Sequence, residues 1–176
     1  MIIKRTIILL SLFLNSCDKD TIVGIDTEEC SNICWDTSTV CSLSLCPSYF
    51  NLTIESTGES TLFIFKDSIS VLEIGDEIAI YDENGITNNN GAIGSVLVGL
   101  GNWNSEQLEI TTISSQNLSS FGGAILPGSV NNNTLKIKIW DQSEQKMLDN
   151  VLYTIEQGSG TFNGLFTAFS ELTIQE

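Results

Sequence analysis

The chain has 176 residues, with 22 acidic against 7 basic side chains, a formal net charge of −15 and no histidine. A field of that sign makes nucleic acid and anionic lipid surfaces poor partners. The missing histidine removes the commonest general base, the histidine-dependent triads and most catalytic zinc sites.

Residues 1–16 read as a targeting segment. Lys4 and Arg5 form a positive start, and Ile7 to Leu14 is an apolar run too short to span a bilayer. It ends in Leu14-Asn15-Ser16-Cys17, with an aliphatic residue three before the cysteine and a small one just before it. This run resembles the bacterial lipoprotein signal. The resemblance implies cleavage before Cys17, lipid on its thiol and amino group, and a mature protein held to a membrane by that anchor. The alternative is an ordinary signal peptide with an incidental cysteine. Without Lys4 and Arg5 the balance is 22 acidic against 5 basic groups, 5 − 22 = −17.

Residues 17–29 read as an acidic tether. Asp18-Lys19-Asp20 resembles the surface-export signal of Bacteroidetes lipoproteins, whereas an aspartate directly after the cysteine resembles the inner-membrane retention signal of enterobacteria. A composition rich in Ile, Asn, Ser and Thr favours the first, and with it an outer-membrane, surface-exposed location. Residues 30–47 hold Cys30, Cys34, Cys41 and Cys46. Four cysteines in an exported chain predict two disulfides in one of three pairings, stapling a collar too short for its own core. The spacings do not match a paired CxxC zinc knuckle.

Residues 48–176 carry strand grammar throughout. Tyr49 to Glu55 and Thr61 to Lys66 are β-rich, with Ser56-Thr57-Gly58-Glu59 as the turn between them. In Leu72 to Gly85, Leu72, Ile74, Ile78 and Ile80 share one parity, so an extended chain puts them on one face. Gly75-Asp76 breaks the run, and Asp82-Glu83-Asn84-Gly85 is expected to close a hairpin, with Gly85 in a left-handed conformation. Thr87 to Gly91 is a loop. Ile93 to Leu100 follows, where Gly99 and Gly101 predict a bulge or a close backbone approach. Glu106 to Ile113 alternates. Phe121 to Ser129 reads as an ordered loop. Thr134 to Trp140 is the cleanest strand, with Leu135, Ile137 and Ile139 inward and Lys136 and Lys138 outward. Gln142 to Asp149 is a helical turn or a hairpin connection; Val151 to Glu156 and Leu165 to Ile174 complete the set. The expected fold is all-β, an antiparallel two-sheet β-sandwich.

The pieces Ser60-Thr61, Gly75-Asp76-Glu77-Ile78, Tyr81-Asp82, Leu97-Val98-Gly99 with Trp103, Leu126-Pro127-Gly128, Lys138-Ile139-Trp140-Asp141 and Gly158-Ser159-Gly160-Thr161-Phe162 resemble a β-sandwich module of secreted and surface proteins of marine Bacteroidetes. The resemblance covers most of the mature chain. It implies an accessory module of the kind found in larger exported proteins.

No GxSxG, GxGxxG or P-loop occurs. Asp76, Glu77, Asp82 and Glu83 are candidate paired carboxylates for a glycosidase, but a sandwich of this size leaves little room for a cleft. Asp82-x-Asn84-Gly85 with Asp76 nearby is a candidate calcium site, since hard cations take carboxylate and amide oxygens from such loops. The plainer reading is a turn built by local hydrogen bonds. Trp103, in the polar run Gly101-Asn102-Trp103-Asn104, and Tyr81 are candidate aromatic contacts for a ligand, with core packing as the plainer role. The function expected is a lipid-anchored surface binding module for glycan or protein, without catalysis. A structural subunit of the envelope or of an extracellular assembly is the alternative.

Overall fold

The structure, a computed structural model, describes residues 30–175. Cys17, the signal segment and the acidic tether lie outside the described residues.

Twelve short strands are described: β1 (Asn32–Ile33), β2 (Thr39–Val40), β3 (Ser60–Phe65), β4 (Glu77–Ile86), β5 (Ile93–Asn102), β6 (Leu108–Ile113), β7 (Gln116–Asn117), β8 (Ile125–Leu126), β9 (Leu135–Asp141), β10 (Lys146–Leu148), β11 (Val151–Gln157) and β12 (Phe166–Ile174). Two four-stranded sheets, ordered β10-β9-β4-β5 and β11-β12-β3-β6, face each other, and two-stranded β1-β2 and β7-β8 are appended. The fold is therefore all-β. One pair departs from the antiparallel expectation: β12 runs parallel to β3, with Phe166 opposite Leu62 and Phe169 opposite Phe65. Between them the chain makes a full excursion through the other sheet.

Period-two alternation fills the space between the sheets. Phe63 and Phe65 of β3, Ile78 and Ile80 of β4, Ile137 and Ile139 of β9 and Phe169 of β12 share one core with Val98 and Ile110. Phe169 lies 6.0 Å from Phe63 and 5.1 Å from Phe65, centroid to centroid. β5 comes close to β6 along one seam. A Cβ on Gly99 would stand 2.8 Å from Thr112 Cγ2 and 2.9 Å from Ile110 Cγ2, so the close approach expected there is present. The register of β4 on β5 also shifts between Ile80 and Tyr81.

β4 is buried on both faces. Its inner face meets the core. Its outer Ala79 lies in a second cluster with Phe50 and Trp140, against which Tyr81, Leu97, Leu100 and Met147 pack. The segment before the sandwich thus covers the outer face of the first sheet.

The collar is stapled as expected, and the structure selects the pairing: Cys30 with Cys41 and Cys34 with Cys46. Asp36 shapes the β1–β2 turn, taking the Ser38 amide at 3.0 Å and its hydroxyl at 2.6 Å. Those Ser38 hydrogen bonds hold the Asp36 carboxyl below its ordinary range. Trp35 donates to the Pro47 carbonyl at 2.8 Å and packs edge-on against Tyr49, which stacks on Trp140 at 3.8 Å. Each closed loop is short, with separations of 11 and 12 residues, so each bridge is expected to contribute about 3 kcal/mol to the collar in the chain-entropy model. Reduction should therefore open residues 30–47 to proteases while the sandwich core still melts cooperatively. Loss of the core transition on reduction would mean that the collar and the core fold as one unit.

Three local expectations change. Ile74 is 48% exposed, while Leu72, Ile78 and Ile80 are buried. Ile74 and Gly75, the latter at φ 103°, are the middle of a turn that the Asp76 amide closes on the Glu73 carbonyl at 3.1 Å, so no strand parity holds until β4 begins at Glu77. Asp82 to Gly85 is not a hairpin loop but a bulge inside β4, with Asp82 opposite Val96 and Gly85 opposite Gly94. Gly85 is required there by space rather than by a left-handed φ: a Cβ would collide with the Val96 side chain and stand 2.9 Å from the Gly128 carbonyl oxygen. Finally, Tyr49 to Glu55 joins neither sheet: the chain bends at Tyr49 and Phe50, and residues 51–55 belong to no regular element.

Candidate functional site

Three carboxylates on or beside β4 are almost wholly buried: Asp76, Glu77 and Asp82. A buried carboxylate needs its lone pairs met. Each of these is met by N–H or O–H donors from a segment distant in sequence, so each acts as a latch.

Glu77 holds the segment that covers the first sheet. It accepts the Ser48 hydroxyl at 2.8 Å, the Tyr49 amide at 2.5 Å and the Phe50 amide at 3.2 Å. Asp76 joins the turn before β4 to the end of β9, accepting the Glu73 amide at 2.8 Å and the Gln142 amide at 3.0 Å. Gln142 is itself buried, and its side-chain oxygen takes the Trp140 indole N–H at 3.0 Å. Its Nε2 is without a partner.

Burial pushes the Asp76 carboxyl up from its ordinary 3.8, against the pull of the Glu73 and Gln142 amides, and the charges of Asp141 and Glu73 push the same way. The folded state thus holds the Asp76 proton more tightly than the unfolded chain. The stabilisation this provides is complete below pH 3.8 and is lost as pH rises through the folded pKa. The expected result is that stability falls less with rising pH in Asp76→Asn than in the parent, measured as urea midpoints across that range. Parallel profiles would mean that Asp76 titrates alike in both states.

Asp82 sits at the bulge and is fully buried. Its oxygens accept the Asn84 amide at 2.9 Å, the Val130 amide at 2.8 Å and the Asn133 side-chain N–H group at 2.9 Å on both sides. Asn133 also reaches the Asn84 carbonyl at 3.1 Å. This geometry favours the plainer of the two readings, local hydrogen bonding, over a calcium site. The Asp82 oxygens face hydrogen-bond donors rather than a shared cavity, and Asn84 contributes its amide and carbonyl to the same latch. Asp76 lies six residues away, a rise of about 20 Å along a strand. Among the described residues, no three Asp, Glu or Cys side chains form a metal-holding group.

Trp103 takes the plainer of its two expected roles, core packing. It is 1% exposed and belongs to the main core. Its amide donates to the Asp76 carbonyl at 2.8 Å and its carbonyl accepts the Gly75 amide at 3.0 Å, which draws the indole under that turn and removes it from any surface. Tyr81 is half-buried on the outer face of the first sheet. The Lys138 ammonium stands 5.1 Å from its ring centroid and Phe50 meets its edge at 6.4 Å. Burial pushes its phenol up, with Lys138 opposing. The ring seats the Phe50 segment.

The Asp82 latch positions a groove that the sequence reading did not find. It fixes residues 130–133 against β4, and the Ile86 and Gly128 backbones exchange two hydrogen bonds of 2.9 Å just before them. Leu126 and Pro127 are thereby held beside the β4–β5 hairpin. That hairpin is closed by Thr87 donating to Ala92 at 2.8 Å, with the Asn88 side chain taking the Asn90 and Ala92 amides. Ile125 packs where the hairpin tip turns at Gly91. Together with Thr53 to Ser56, the segments Thr87 to Asn90 and Leu126-Pro127 line a groove of about 670 Å³. That volume lies within the range of ordinary ligand sites. Its lining is amide, hydroxyl and aliphatic, with Glu55 its one charged member.

Comparison of the chain with protein-family models, with curated proteins and with solved structures returned no match.

Proposed function

We propose that this chain is a lipid-anchored, surface-exposed binding module without catalysis, and that its ligand, glycan or protein, sits in the groove between Thr53–Ser56 and the β4–β5 hairpin. The groove carries this reading. It combines ligand-sized volume with convergent polar groups on segments pinned by the buried Asp82 latch. The absence of catalysis is supported by where the carboxylates go: Asp76, Glu77 and Asp82 accept protein donors and stand inside, not across a cleft. The anchor rests on the Leu14-Asn15-Ser16-Cys17 run, and the strongly negative charge argues against nucleic acid as the partner.

The test screens the protein against glycan and peptide arrays, then repeats each hit with Asn88→Ala and Asn89→Ala combined. The expected result is affinity about tenfold lower in the variant, as lost polar contacts predict. Hits indifferent to the pair would move the site elsewhere.

A structural role in an envelope assembly has one observation of its own. β11 is an edge strand whose Leu152 is 51% and Ile155 37% exposed. Concentration-dependent assembly in sedimentation, abolished by Ile155→Lys, would favour that reading.

A further inference from the structure

The segment Asn51–Ser56 is strand-like in sequence, yet in the structure it belongs to no regular element and has no strand beside it. Leu52 and Ile54 are half-buried between exposed neighbours, and Ile54 packs against the main core. This is the alternation of a strand seated by one set of side chains. Its backbone is unpaired: among the described residues, none makes a hydrogen bond to the N–H or C=O groups of Asn51 to Ser56. Four of its six residues, Thr53 to Ser56, form a wall of the groove. A backbone with open donors and acceptors and alternating burial, beside a ligand-sized groove, suits the addition of a peptide as a strand.

We propose that the groove receives an extended peptide, which pairs with Asn51–Ser56 by backbone hydrogen bonds and lays alternate side chains towards Leu126 and Pro127. The inference rests on the groove being the binding site proposed above. Backbone pairing favours a peptide over a glycan, because a sugar has no repeating amide to match that edge. Charge specifies the peptide further. The lining holds Glu55 and no cation, and the whole chain is strongly negative, so the favoured partner carries Lys or Arg and few acidic residues.

The probe is a library of displayed random heptapeptides, selected on the full chain in detergent. Selected sequences are expected to be enriched in Lys or Arg. They should lose about tenfold in affinity when one alternate set of backbone amides is N-methylated, and little when the other set is, because only one edge of an added strand faces the protein. Glu55→Lys should weaken the same peptides by about tenfold with an unchanged melting temperature, since the residue is exposed. Peptides that bind equally with either set methylated would overturn strand addition. So would a glycan that binds and shifts the amide resonances of Asn88 and Asn89; that result would leave the groove standing as the binding site. If neither library yields a ligand, the groove itself is lost along with the inference.

Discussion

Asp82→Ala is expected to destabilise the domain by about 3–4 kcal/mol, lowering the melting temperature by about 10 °C. The carboxylate is fully buried, and its removal leaves the amides of Asn84 and Val130 and the Asn133 side chain without their acceptor. Each buried donor left unmet costs about 1–3 kcal/mol, and relaxation of the exposed Asn84 and the half-buried Asn133 recovers part of that. Asp82→Asn should also be destabilised, because an amide in that place sets N–H against N–H. Equilibrium urea unfolding measures both. The same geometry bears on calcium. Millimolar calcium is expected to give the melting curve that sodium gives at matched ionic strength. An upward shift specific to calcium, and absent from Asp82→Ala, would show that a cation displaces the donors.

Glu77→Ala is expected to cost about 3 kcal/mol and, unlike the first substitution, to release a defined piece of chain. The carboxylate is 2% exposed and gathers the Ser48 hydroxyl and the amides of Tyr49 and Phe50. Without it, the ring stack of Tyr49 on Trp140 and the seat of Phe50 on Ala79 lose their backbone tether. Two readouts follow. Limited proteolysis should cut between the collar and β3 before the core opens, and tryptophan emission should move to the red as Trp140 meets water. A variant that melts lower yet resists cleavage there would show that side-chain packing alone holds the segment.

The strands were legible wherever one face is buried and the other wet. β9 is the plainest case: Leu135, Ile137 and Ile139 are buried between half-buried Lys136 and Lys138. Even the close approach at Gly99 could be read, because only a missing side chain explains a glycine inside such a run. What could not be read were partners. Asp82-Glu83-Asn84-Gly85 carries turn chemistry, but whether it turns or bulges depends on Val130 and Asn133, some fifty residues on. Trp103 stands in a polar run that left both a surface and a core role open, and the pairing of its backbone with Gly75 and Asp76 takes it inside. Tyr49 to Glu55 has the composition of a strand, and nothing local reveals that its neighbour is missing. The groove was invisible for the same reason: its walls come from three separated segments, none with a chemical signature of its own.

The parallel pairing of β3 with β12 governs the order in which the molecule can be completed. Leu62 meets Phe166 only after the chain has travelled the intervening hundred residues, so this ladder closes one of the largest loops the domain contains. Until β12 arrives, β3 has β6 on one side and an open, aromatic edge on the other. A chain is made from its N-terminus, so β3 exists long before β12. The domain is therefore a slow, late-closing folder, on the millisecond-to-second scale of non-local β topologies. In the interval Phe63 and Phe65 are exposed apolar surface, the kind that makes late-closing β domains prone to aggregate before they are complete.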